Sequence, residues 1–95
     1  MSTCKGDNVT DIMAYVLCKV TSGTEREVCK ALAEYSDVLE VNIMYGEYDI
    51  LAVIHFKNLQ QLDFITDKIR MIPSVTFTST MIIGKNYKEN GKAVK

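Results

Sequence analysis

Displacing the sequence against itself by 37 residues lays Val28 on Ile65, Leu32 on Ile69, Tyr35 on Ile72 and Val38 on Val75. Apolar residues three and four apart mark one stripe of a helix, and the apolar residue three positions beyond marks the start of a strand. The chain therefore holds the same helix–strand unit twice. Each copy follows an apolar strand-like run, Ile12–Val20 and Asp49–Phe56. At 95 residues the chain is one domain, so both copies must share one core. Two β-α-β units with right-handed crossovers put both helices on the same face of one sheet. The expected fold is α+β, a ferredoxin-like βαββαβ arrangement with an antiparallel four-stranded sheet.

The local signals give each element its bounds. Strand one spans Ile12–Val20, with Ala14, Val16 and Cys18 on one face and Met13, Tyr15 and Leu17 on the other. Ser22 with Glu25 fits a capping box, and Thr24 is an alternative N-cap for a helix reaching Tyr35. Strand two covers Val38–Tyr45 and strand three Asp49–Phe56, joined by a tip at Gly46-Glu47-Tyr48-Asp49. Asn58, with Gln61 three residues on, caps a second helix that presents Leu62, Ile65, Ile69 and Ile72 and stops before Pro73. Strand four covers Val75–Ile83. Its Thr76, Thr78 and Thr80 row is expected on the helix-free face, beside Tyr15 and Leu17. Residues 1–11 read as a polar lead, 12–84 as the folded domain and 85–95 as a polar, Lys-rich tail with almost nothing to bury.

Ile50-Leu51-Ala52-Val53-Ile54 is apolar at every position. A strand with one wet face would alternate, so this one is expected to be covered on both sides. The two helices cover one, and the other is expected to meet a second copy in a face-to-face homodimer. Charge argues against direct nucleic-acid binding by the body. Residues 1–84 hold seven Lys/Arg and eleven Asp/Glu, 7 − 11 = −4, and residues 85–95 hold four Lys and one Glu, 4 − 1 = +3. Cys4, Cys18 and Cys29 lack paired or metal-ligand spacing and read as free thiols. The polar N-terminus has no signal-peptide pattern, and no run approaches the roughly 20 apolar residues of a span. The expectation is a cytoplasmic protein that contacts neither membrane nor DNA. No metalloprotease, phosphate-loop or nucleophile-elbow motif occurs, so no cofactor, metal or catalytic residue is expected. His55 reads as a structural or interface residue.

Two clusters could hold a small polar ligand. At the tip, Gly46 supplies backbone freedom, Tyr48 an aromatic wall, and Asp49 a carboxylate for turn amides or for a ligand ammonium. On strand four, Thr76, Thr78, Ser79 and Thr80 supply hydroxyls, although threonine also simply fills strands well. Taken alone, the first cluster reads more simply as a well-made turn without a ligand.

Four segments, in order, add a family resemblance: AYVLCKVTSGTEREVCKALAEYSDVLEV (14–41), YGEYDI (45–50), NLQQLDFITDKIRMIPSV (58–75) and TSTMII (78–83). Together they resemble the ligand-binding (RAM) domain of the Lrp/AsnC transcriptional regulators, with Ser74 where the family has glycine after its proline. The resemblance implies sheet-to-sheet homodimers assembling into octamers or decamers, and amino-acid effectors bound between dimers. By matching motif it points to Gly46, Tyr48 and Asp49, with Thr78 and Thr80, as effector residues. Only about eleven polar residues precede strand one, so the chain looks like a stand-alone form of the domain without the family's helix-turn-helix. Full-length Lrp/AsnC regulators are then possible partners. Two alternatives stay open: an enzyme of the ferredoxin-like dimeric α/β-barrel kind, and a ligand-free structural assembly domain.

Overall fold

The structure, a computed structural model, describes residues 12–93; the expected polar lead and Cys4 lie outside the described residues. The order is β1 (Ile12–Val20), α1 (Glu25–Ala33), β2 (Val38–Ile43), β3 (Ile50–Phe56), α2 (Leu59–Arg70) and β4 (Val75–Ile82), followed by two short strands, β5 (Lys88–Glu89) and β6 (Lys92–Ala93). The main sheet runs β2-β3-β1-β4 and is antiparallel at every junction. This is the expected ferredoxin-like topology, with the two strands that precede the helices at the centre.

One core joins the sheet to both helices. Ala14, Val16 and Cys18 of β1 and Ile50, Ala52, Ile54 and Phe56 of β3 are buried against Val28 and Leu32 of α1 and Leu62, Ile65 and Ile69 of α2. Each large apolar side chain so removed from water contributes about 1.5–3 kcal/mol. Tyr35, Ile72, Val38 and Val75, the other members of the repeat, pack partly buried at its edge.

The helix caps differ from expectation at one end. Asn58 Oδ1 accepts from the Gln61 N–H at 2.9 Å, and the Gln61 side-chain Oε1 reaches back to accept from the Lys57 N–H at 2.7 Å. The first helix, by contrast, has no side-chain cap at Thr24. The Thr24 hydroxyl donates to the Thr21 carbonyl at 2.6 Å, and Glu25 accepts from the Gly23 N–H at 3.1 Å. A capping box at Ser22 does not form, because Thr21 to Thr24 closes a turn of its own. This helix ends at Ala33, two residues before the expected Tyr35, and β2 ends at Ile43 rather than Tyr45.

The threonine row lies on the other face from the one expected. Thr78 is paired with Cys18 and Thr80 with Val16, and residues directly opposite in an antiparallel pair share a face. Both threonines therefore stand on the helix side. The helix-free face carries Phe77, Ser79 and Met81 opposite Lys19, Leu17 and Tyr15. Two properties hide this in the sequence: β4 has apolar residues in both parities, and the register shifts between Lys19 and Val20. That irregularity lets Val75 join the core while Phe77, two residues on, turns outward. On this outer face Tyr15, Phe77 and Met81 are 42%, 52% and 51% exposed. Leu51 and His55 alternate with buried neighbours in β3, so its second side is only half covered within one chain. Beyond Gly84 the tail forms the β5–β6 hairpin, in which Lys88 faces Ala93 and Glu89 faces Lys92.

Candidate functional site

One corner of the sheet gathers most of the expected site residues. Here the tip between β2 and β3, the end of β1, the start of β4 and the end of α2 meet. The tip closes through the Met44 N–H donating to the Asp49 carbonyl at 2.8 Å. Gly46 has a φ of +155° with open space where a side chain would stand, so backbone conformation rather than crowding selects glycine. Asp49 fastens this tip to β1. Its N–H donates to the Cys18 carbonyl at 2.9 Å, and its Oδ2 accepts from the Val20 N–H at 2.9 Å. The carboxylate thus completes the ladder where the β1–β4 register shifts.

Tyr48 folds onto the outer face. Its ring stacks against Phe77 at 6.4 Å between centroids, and the Lys19 ammonium lies 5.5 Å from the Tyr48 centroid and 5.8 Å from that of Phe77. Such cation–aromatic contacts are worth about 0.5–1 kcal/mol at exposed sites. Across the strand, Thr78 accepts from Arg70 Nε at 3.4 Å, and the Thr76 hydroxyl donates to the Lys19 carbonyl at 3.1 Å. Arg70, Val75, Thr76, Phe77 and Thr78 line a small cavity of about 330 Å³. A shallow hollow of about 1140 Å³ covers the helix-free face, bordered by Tyr15, Val53 and His55 of the sheet and by Lys85 and Glu89 of the tail.

The structure therefore puts Gly46, Tyr48 and Asp49 at the tip, with Tyr48 on the outer face, and Thr78 on the helix face of the edge strand β4, with Phe77 next to it on the outer face. Thr80 stands one rung further along β4, opposite Val16, and does not line the small cavity. Three residues at the corner escape a reading of the sequence: Lys19, Arg70 and Phe77. The alternation of β1 exposes Lys19, but no local pattern pairs Arg70 with Thr78, eight residues on and in another element.

Nucleophilic chemistry finds no support at the thiols. Burial pushes the Cys18 thiol up to about 11, with Cys29 nearby adding to the effect. Cys29 is also raised, by burial first and by Glu25 second. Both are held as neutral thiols, poor nucleophiles and metal ligands. Among the described residues no group of three or more His, Cys, Asp or Glu could hold a metal ion, and no helix is long and apolar enough to cross a membrane.

The fold is the ferredoxin-like one of regulatory ligand-binding domains, and comparison with known proteins gives the same class. The family model of the Lrp/AsnC ligand binding domain matches residues 13–93. The chain belongs to that family. It is 40% identical over 78 residues to the HTH-type transcriptional regulator FL11 of Pyrococcus horikoshii, covering 82% of this chain and 52% of the regulator. The chain thus spans about half the length of the curated relatives it matches. Among solved structures it resembles FFRP-DM1 at 41% identity and a TM-score of 0.72, over 76% of this chain and 97% of that one. The fold is shared with the transcriptional regulator NMB0573 of Neisseria meningitidis, solved as an L-Met complex, at a TM-score of 0.80 and 17% identity, over 100% of this chain and 64% of that one. The match runs through the tail, so the β5–β6 hairpin lies within the family domain.

Proposed function

We propose that this domain is a non-enzymatic, cytoplasmic amino-acid sensor whose effector occupancy is coupled to assembly. It dimerises through the helix-free sheet face, assembles further into an octamer or decamer, and takes its effector between dimers at the hairpin corner. Gly46, Tyr48 and Asp49 form the tip side of that site and Thr78 the strand side, with Thr80 behind it. The carrying observation is the position of Phe77. It belongs to the exposed apolar face, stacks on Tyr48, and lines the cavity with Thr78. A ligand at the corner and a partner on the sheet would therefore bias one another, as any ligand preferring the assembled form must. The L-Met complex of NMB0573 supports an amino acid as the effector class. In the same reading, full-length regulators of the family, which share this domain over about half their length, are its partners in mixed assemblies.

The test is a thermal-shift titration against the twenty amino acids, with light scattering on every hit. A ligand at 100 times its dissociation constant should stabilise by about 2.7 kcal/mol, and a hit should also raise the mean assembly size. Twenty blanks at millimolar ligand would remove the sensor reading. A second reading, a ligand-free assembly domain, is favoured by the Asp49 carboxylate already serving the Val20 N–H. Blanks combined with a stable oligomer would select it.

A further inference from the structure

Resting on the reading of this corner as the effector site, we infer that the cavity beside β4 reads the carboxylate of its ligand and not the ammonium. It should accordingly take 2-oxo acids as well as the matching amino acids. Arg70 is the anchor. It lies at the last turn of α2, where Nε donates to the Thr78 hydroxyl at 3.4 Å. Its only ion pair among the described residues is with Asp67, at 3.6 Å between side chains 61% and 70% exposed. An exposed pair of this kind is weak, and guanidinium has five donors in a fork matched to carboxylate. Arg70 can thus turn its Nη edge to a ligand while Nε keeps its place on Thr78.

The rest of the lining agrees. Thr76 and Thr78 offer hydroxyls, Val75 and Phe77 an apolar wall, and no carboxylate lines the cavity. Lys19 stands on the outer face beside Phe77, its ammonium 5.8 Å from that ring. Asp49, the acidic group of the tip, is engaged with Val20. An ammonium entering here would find hydroxyl oxygens but no carboxylate in the lining. A carboxylate would find a guanidinium able to leave its exposed pair with Asp67, and the Thr78 hydroxyl proton, the Thr76 proton being given to the Lys19 carbonyl. At about 330 Å³ and open to solvent, this depression on β4 has room for the carboxylate end of a metabolite.

Calorimetric titration of the wild type and Arg70→Gln with three pairs tests this: L-leucine and 4-methyl-2-oxopentanoate, L-phenylalanine and phenylpyruvate, L-glutamate and 2-oxoglutarate. The expected result is that both members of at least one pair bind within about tenfold of each other. Arg70→Gln should weaken both by roughly ten- to a hundredfold, the worth of a charge-assisted hydrogen bond. Arg70→Lys, which keeps the charge but not the fork, should fall between. Circular dichroism and melting of the variants, whose altered side chain is exposed, should match the wild type. An amino acid that binds while its 2-oxo acid does not, or that binds Arg70→Gln undiminished, overturns the inference and leaves the effector site standing. If all six probes are silent, the amino acid found in the twenty-member thermal-shift screen and its 2-oxo acid take their place, and blanks throughout overturn both.

Discussion

The two halves of the molecule, β1-α1-β2 and β3-α2-β4, leave their helices in the same way. Val38 N–H donates to the Tyr35 carbonyl at 3.0 Å, and Val75 N–H to the Ile72 carbonyl at 3.0 Å. Glu34 N–H bonds to Ala31 and Met71 N–H to Lys68, at 3.3 and 3.2 Å. Every member of these pairs is displaced by 37 residues. The entrances differ. From Val20 to Val28 is eight positions, and from Phe56 to Ile65 is nine; α1 has 9 residues and α2 has 12. The side chains at the exits differ more. The positions corresponding to Arg70, Thr76 and Thr78 are Ala33, Leu39 and Val41. The two halves thus share the backbone of the exit, while only the second carries a cation and hydroxyls there. A shared turn is architecture; the polar lining is what distinguishes the corner proposed as a site from its counterpart.

The comparison can be broken most forcefully in the core. Leu32 and Ile69 are both fully buried, one in each half, and truncating either to alanine should lose about 2–5 kcal/mol in urea denaturation. If one variant lost several times more than the other, the halves would not share their core evenly. The next effect concerns the first half alone. Cys18 faces Ile50 of β3, and burial raises its pKa from 9.0 to about 11. The folded chain therefore holds the thiol proton where the unfolded chain releases it, so stability is intact below pH 9 and falls as the pH rises through 11. At about 1.4 kcal/mol per unit the loss approaches 2–3 kcal/mol, and Cys18→Ala should flatten the curve over that window.

A smaller contrast lies at the helix entrances. Asn58→Ala should lose about 1 kcal/mol through its missing cap, and Thr24→Ala no more than about 0.5 kcal/mol, since its exposed hydroxyl reaches only the Thr21 carbonyl. Equal losses would show that the closed turn before α1 does the work of a cap. Least visible in stability is the exchange Arg70→Ala with Thr78→Val, which copies the first half's Ala33 and Val41 into the second. Melting should move by no more than about 0.5 kcal/mol, while calorimetry should lose carboxylate binding.

The topology was legible because a helix stripe and the strand after it repeat at a fixed interval, and because Asn58 with Gln61 is a cap in almost any context. The end of the first helix and the Ser22 cap were not, since propensity and capping motifs do not register the turn that Thr21 to Thr24 closes first. The face of the threonine row was illegible for a different reason. Alternation fixes sidedness only when one parity is polar, and a single irregularity beside Val20 reverses the outcome for Phe77, Thr78 and Thr80. Gly46, Tyr48 and Asp49 could be placed together because they are neighbours in sequence. Arg70 and Lys19 reach the same corner only through packing, which no window of sequence contains.

The clasp between Asp49 and the Val20 N–H joins residues 29 apart, and it has a consequence for the order in which the chain folds. The helices and the β2–β3 hairpin draw on local contacts, but this rung can close only after β1 has docked against β3, with its loop-closure entropy already met. The hairpin tip is then among the last parts of the fold to set. Asp49→Ala should accordingly hasten unfolding and leave the refolding rate nearly unchanged.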